Sequence, residues 1–354
     1  MTARRFPFGH PQRTRRAHRS TIATRLVAAA VTALALVAPT AAQADEPDPG
    51  NCAAVPFPAS GGGTVATTLC TPAGGETGTV MVLMPGSNYN STYWDFPHAP
   101  QTYNFRRAMN AAGYATLVID RLGTGASTRP ASTGVTATGD AQTLHEIVGA
   151  LRAGSMGAQP FDKIVTGGHS LSSGVAVLEA TTHHDVDGVL LTGYSHGLNI
   201  PGALGIVGTY RPAEQDAAFT GRGYDAGYLT TRPGTRARSF HSPATSDPEV
   251  VAVDEATKDV FAATEYPDGL TSTLPPMSTE ITAPVLVVNG SDDVLCSRIC
   301  ADTATLQAAE APHFSPAARL RTFVLPGSGH SVNLARNTGD YRAAVLDWMA
   351  SVAG

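Results

Sequence analysis

The chain has 354 residues, 42% of them hydrophobic and only 6% aromatic, with 24 Lys and Arg, 29 Asp and Glu and a formal charge of −5. Seven arginines and no acid fall in residues 1–44, so residues 45–354 keep 17 basic residues against 29 acids, a charge of −12. A surface that acidic excludes nucleic acid and anionic lipid as natural partners, although it says nothing about fold.

Residues 1–44 run basic, then apolar over 26–38, then Pro39 and the small stretch Ala42, Gln43, Ala44. This is the order of a cleavable secretory signal peptide, with the cut expected after Ala44 and a secreted product. The 13-residue apolar run is shorter than the ~20 residues a bilayer requires, so no stable membrane anchoring is expected after cleavage. An amphipathic membrane anchor is the alternative. Thr14, Arg15 and Arg16 hint at twin-arginine export, but His18 stands where an apolar residue is expected, which leaves the export route open.

An exported chain can oxidise its four cysteines, for which three connectivities exist. Local spacing favours Cys52–Cys70, across the turn at Gly61, Gly62 and Gly63 between two short strands, and Cys296–Cys300, closing a tight loop. A Cys-x-x-x-Cys metal half-site is the alternative. No second Cys/His pair at ligand spacing accompanies it, so no metal is expected.

The remaining 310 residues suit one α/β domain carrying an insertion. Strands are predicted over Thr79–Met84, Ala115–Ile119, 163–166, 186–192, 284–288 and Arg321–Leu325. Helices are predicted over 105–112, 141–153, 171–182, 301–310 and 341–352. Strands alternating with crossover helices imply a mostly parallel sheet with helices on both faces, whose ligands bind beyond the carboxyl ends of the strands. Residues 196–281 break the rhythm, with one helix expected from Pro248 to about Thr264. A stretch that long between core strands reads as a lid, or else as an excursion with no part in the site.

Residues 164–174 carry an apolar strand into Gly168, His169, Ser170, Leu171 and Ser172, then a helix. A sharp strand-to-helix turn presents one hydroxyl above a sheet, which makes Ser170 a candidate nucleophile; a plain turn is the alternative. A serine needs a base, and the base an orienting acid. Residues 285–295 give a strand, a turn and two carboxylates, Asp292 and Asp293. Residues 321–330 give a strand, a Gly-rich turn and His330. The order Ser, Asp, His is that of α/β-hydrolases rather than of chymotrypsin-like or subtilisin-like enzymes.

From Thr79 onward the chain resembles a lidded, single-domain α/β-hydrolase. Residues 119–127, with Asp120, Gly123, Gly125 and Ser127, are similar to that family's Asp-x-x-Gly-x-Gly-x-Ser loop. The resemblance implies the triad Ser170, Asp293 and His330, with Asp293 rather than Asp292 at the acid position. It also implies an oxyanion hole from the Leu171 N–H and the Ser87 N–H, with Asn88 as second choice, because Pro85 and Gly86 replace the frequent His-Gly pair. Ser172 departs from the family's final elbow glycine.

Tyr89, Tyr93, Trp94 and Phe96 either wall an acyl or alcohol pocket or pack the loop onto the core. His98, His145, His241 and His313 read as satisfied surface or core groups, His169 as packing, and His183, His184 and Asp185 as solvated. The activity these features imply is hydrolysis of a small-molecule carboxylic ester by a secreted serine esterase needing no metal or organic cofactor. Amide or peptide hydrolysis, lactone opening and acyl transfer use the same triad, and a non-catalytic binding protein is a further alternative. A nucleophilic serine argues against haloalkane dehalogenase and epoxide hydrolase chemistry, which the family runs with a carboxylate. The acidic surface favours neutral or cationic substrates.

Overall fold

A computed structural model describes residues 47–353 apart from 76, 77, 158 and 297. The segment expected to be the signal peptide lies outside the described residues. Three short strands and a longer one open the fold, β1 (Gly50–Ala54), β2 (Phe57–Pro58), β3 (Thr64–Val65) and β4 (Thr67–Pro72). Then come β5 (Thr79–Met84), α1 (Pro100–Tyr103), α2 (Phe105–Ala111), β6 (Ala115–Ile119), α3 (Ala137–Arg152), β7 (Lys163–His169), α4 (Leu171–His183) and β8 (Gly188–Thr192).

The insertion holds α5 (Ile200–Val207), β9 (Tyr210–Pro212), β10 (Tyr228–Thr231), α6 (Arg236–Phe240), α7 (Pro248–Ala256), β11 (Phe261–Ala262) and α8 (Glu265–Gly269). The chain then returns to the sheet with β12 (Val285–Gly290), α9 (Thr303–Glu310), β13 (Arg321–Leu325) and α10 (Thr338–Ala353).

Eight strands form the central sheet in the order β1-β4-β6-β5-β7-β8-β12-β13, with β9, β10 and β11 making a small separate sheet. Pairs β1–β4 and β4–β6 are antiparallel, and the other five pairs are parallel. Central strands such as β5, β6, β8 and β12 are buried along their whole length, as their unbroken Val, Leu, Ile and Met runs require. The chain passes from β5 to β6 on one side and later fills the other side with β7, so order reverses at β5. In open α/β sheets such a reversal opens a crevice above the strand ends.

Most predicted boundaries shift by a few residues, each for a local reason. Helix α3 begins earlier, at Ala137, because the Thr136 hydroxyl accepts the Gly139 N–H and caps it. Strand β7 runs on to His169 because Gly167 and Gly168 still pair with both neighbours. The helix expected to reach Thr264 stops at Ala256: Lys258 turns inward to Asp216 and Glu255, and Phe261–Ala262 joins β10.

Both cysteine pairs are bonded, Cys52 with Cys70 between paired strands and Cys296 with Cys300. The insertion is tied at both ends by one buried cluster. His196, at its start, shares a hydrogen bond with Glu310 on α9 through Nδ1 (2.6 Å) and with the Ser278 hydroxyl, at its end, through Nε2 (3.0 Å). Among the described residues, no helix is long and apolar enough to cross a membrane.

Candidate active site

The register of the sheet decides which loops meet. Met84 is level with Gly168, so the loop after β5 and the turn after β7 leave the sheet side by side. Gly290 is level with Leu325, which brings the loop carrying Asp293 beside the loop carrying His330. Ser170 sits at the first of these junctions with φ 55° and ψ −120°, a strained conformation for a non-glycine residue. Its N–H is held by the Thr192 carbonyl at 2.8 Å.

The Asp293 carboxylate lies 2.8 Å from His330 Nδ1, and both side chains are almost completely buried. Its other oxygen accepts the Leu295 N–H at 2.8 Å, which fixes its plane. Asp292 instead accepts the Ser242 hydroxyl at 2.6 Å, so it serves the turn through a side chain rather than through the backbone N–H groups expected of a turn cap. His330 packs against His169 at 4.8 Å and Phe240 at 5.9 Å between ring centres. Its Nε2 has no hydrogen-bond partner among the described residues. No hydrogen bond therefore joins it to Ser170 here; the bond between a nucleophile and its base is often looser without substrate.

Ser170, Leu171, Ser87 and Asp293 line one cavity of about 300 Å³, at the small end of ligand pockets, which run roughly from 300 to 1,000 Å³. Leu171 opens α4, so its N–H has no intrahelical acceptor. Asn88, the second choice for an oxyanion donor, does not reach the cavity: its left-handed φ of 64° turns the chain away, and its carbonyl accepts from Asp259 and Arg236.

Arg121 sets the direction of the Ser87 N–H, and Ser172 helps to hold the loop before it. Arg121 is fully buried, pairs with Glu265 at 2.9 Å and donates to the Pro85 and Gly86 carbonyls. The Ser172 hydroxyl donates to the same Pro85 carbonyl at 2.6 Å. In a trans peptide the C=O and N–H point in opposite directions. Drawing the Gly86 carbonyl toward Arg121 therefore aims the Ser87 N–H the other way. The extra hydroxyl of the departed elbow glycine is thus spent on the loop and not on the nucleophile.

The aromatic cluster does not wall this cavity, contrary to one reading of Tyr89, Tyr93 and Trp94. Tyr89 is pinned by the Arg236 guanidinium 4.2 Å over its ring and by a 2.7 Å hydrogen bond to Ser331. Tyr93 stacks on His169 at 4.2 Å, and Trp94 packs on Phe105. Burial, with His330 next, holds His169 well below the usual histidine range, so it stays neutral packing.

The insertion supplies the walls instead, through Leu198, Ala203, Ile206, Val207, Tyr210, Phe240, Tyr266 and Leu270. Tyr266 shares hydrogen bonds with Ser87 (3.0 Å) and Tyr210 (2.8 Å), and burial raises both phenols, keeping them neutral. Among the described residues, Asp293 is the only Asp, Glu, Lys, Arg or His in the cavity lining. No periodic pattern marks these insertion residues in the sequence.

The other histidines divide. His241 is satisfied by Asp254 at 2.8 Å, and His313 stacks on His196 at 4.0 Å. His184 is exposed, but His183 is not freely solvated: it stacks on His145 at 3.7 Å, and His145 bonds Asp185.

The family model described as "Alpha/beta hydrolase family" matches residues 81–344. Among solved structures, a thermophilic esterase from Thermogutta terrifontis is 18% identical, covering 86% of this chain and 100% of its own, with a TM-score of 0.57. A putative aryl esterase from Burkholderia cenocepacia is 14% identical over 85% and 99% of the two chains, with a TM-score of 0.55. The enol-lactonase from Burkholderia xenovorans LB400 is 18% identical over 83% and 99%, with a TM-score of 0.52. No curated protein sequence matches the chain.

Proposed function

Because the chain belongs to the alpha/beta hydrolase family, we propose that it is a secreted serine hydrolase that cleaves carboxylic esters of small, uncharged, largely apolar acids. The observation that carries this reading is an apolar cavity onto which Ser170, Leu171, Ser87 and Asp293 all open, with His330 hydrogen-bonded to Asp293 behind it. Val207 and Leu270 line the cavity while remaining 55% and 46% exposed, so its mouth is apolar as well. An anionic substrate would meet no positive charge in the lining.

In the proposed mechanism the Ser170 hydroxyl attacks the acyl carbon as His330 Nε2 takes its proton. Asp293 holds the imidazole by Nδ1 and stabilises its cation. The N–H groups of Leu171 and Ser87 receive the oxyanion. Collapse expels the alcohol, which leaves with the proton from His330. Water, deprotonated by the same nitrogen, then releases the acid and regenerates Ser170. The likeness to an esterase, a putative aryl esterase and an enol-lactonase supports acyl transfer to water as the reaction class. The two bonded cysteine pairs are compatible with export.

Fluorophosphonate labelling with the adduct located by peptide mass spectrometry tests this reading. One adduct on Ser170, absent in His330→Ala, is expected, followed by turnover of short-chain esters well above that of matched amides and lactones. An unlabelled Ser170 in folded protein removes the mechanism, and faster amide turnover removes the ester assignment.

A further inference from the structure

Helix α4 carries Ser170 at its amino end. At its carboxyl end, roughly 15–20 Å away at 1.5 Å per residue, lies a second cluster that the mechanism does not use. His145 of α3, Glu179 of α4 and Asp185 just beyond α4 each offer a ligand atom within 4.8 Å of the others. His145 Nδ1 is 2.7 Å from one Asp185 oxygen. Glu179 is completely buried, and neither of its oxygens has a hydrogen-bond partner among the described residues; the same holds for the second Asp185 oxygen. Nearby, Arg152 is committed to the Asp185 backbone carbonyl and to Asp187.

Two facing carboxylates, one fully buried, are not left ionised without a positive charge between them. The cluster therefore holds either a shared proton or a cation. Three features favour the cation. The donors come from three separate points of the chain and converge with an imidazole nitrogen among them. His183, one turn after Glu179, stacks on the His145 ring at an interplanar angle of 9° and fixes its plane. The cluster also lies at the carboxyl end of α4, where the helix dipole favours positive charge. His145 and Asp185 side chains are 36% and 26% exposed, so an ion has a path in.

We propose that His145, Glu179 and Asp185 form a binding site for a divalent transition-metal cation of the zinc type, which clamps α3 to the far end of the nucleophile-bearing helix. One imidazole with two carboxylates suits zinc and its neighbours better than calcium or magnesium, which take oxygen donors. Three protein ligands and a partly open face leave the remaining position to water.

The test uses untagged protein, stripped with EDTA, dialysed and titrated with Zn²⁺ by calorimetry, with metal content read by mass spectrometry and stability by thermal melting. One equivalent is expected, with the melting temperature rising by several degrees at Zn²⁺ well above Kd. His145→Ala and the near-isosteric Glu179→Gln both lose the equivalent and the rise. Fluorophosphonate labelling and circular dichroism identify folded variants, and Asp185→Asn replaces either one that does not fold. Absence of Zn²⁺ binding by the parent protein overturns the proposal in favour of a shared proton. Zn²⁺ binding that survives both substitutions places the ion elsewhere and overturns it equally.

Discussion

Replacing Gly86 with alanine measures how closely the oxyanion loop is fitted to the nucleophile. The added methyl would lie 2.9 Å from the His169 carbonyl oxygen, 3.0 Å from Ser170 Cβ and 3.1 Å from His169 Cδ2. Carbon contacts are comfortable from about 3.5 Å, so something must move by about half an ångström. Gly86 does not have a φ that only glycine adopts, so the cost is one of space and not of backbone. The loop cannot easily retreat, because Arg121 and Ser172 hold its carbonyls. Ser170, already strained, gives way instead.

Misplacing reacting groups by about 1 Å costs on the order of 10²-fold. Gly86→Ala is therefore expected to lower kcat about 10- to 100-fold, or about 1.4–2.7 kcal/mol of transition-state stabilisation. KM changes little, and stability falls by about 1–3 kcal/mol. Gly149→Ala is the control: it lies inside α3 with nothing within 4 Å of the new methyl, so it should gain up to ~1 kcal/mol without altering kcat. Steady-state kinetics on a short-chain p-nitrophenyl ester, normalised by active-site titration, give the answer. A folded Gly86→Ala protein at parental kcat would refute the fit described between loop and elbow.

Exchanging each acid for its amide separates the two carboxylates of the turn. Asp293→Asn should lower kcat about 10³- to 10⁴-fold by presenting His330 in the wrong tautomer, whereas Asp292→Asn, which loses only a neutralised contact to Ser242, should stay within about tenfold; equal losses in the two variants would contradict the assignment. Ile206→Trp narrows the cavity from the insertion side, so KM for longer acyl chains should rise while acetate esters are unaffected, read from a chain-length series. Acid stability should report Asp254. Burial alone would raise its pKa, but Arg236 and His241 hold it well below the usual carboxylate range. A depressed folded pKa gives stability that is complete above the unfolded value near ~3.9 and is lost progressively as pH falls from there through the lower folded value. Urea midpoints between about pH 5 and 3 should thus fall more steeply for the parent than for Asp254→Asn, and parallel curves would count against the pairing.

What could be read from the chain was what the sheet enforces locally. Unbroken apolar runs such as Thr79–Met84 announce buried strands, and Ser170, Asp293 and His330, in the turns and loops that follow strands, converge because parallel strands end at one edge. The insertion was legible as an interruption only. Its contacts depend on which side of a loop faces inward, and Tyr210, Tyr266 and Ile206 carry no local mark of that. Tyr89 and Tyr93 misled for the same reason: proximity in sequence to Ser87 is undone by one left-handed residue, Asn88. Arg121 stood in plain view inside the glycine loop, yet only the folded chain shows it reaching the Pro85 and Gly86 carbonyls.

Glu265 belongs to the insertion, Arg121 to the glycine loop after β6, and the same guanidinium holds the peptide that aims the Ser87 N–H. The insertion and the loop beside Ser170 therefore share a part. Transplanting residues 196–281 from a relative to alter specificity would leave Arg121 only its longer contact to Asp140, 3.7 Å away, a loss bounded by the roughly 3–5 kcal/mol typical of a broken buried pair. Such chimaeras should be most stable when an acid at the Glu265 position travels with the graft, which makes this insertion a keyed part of the domain and not an interchangeable cassette.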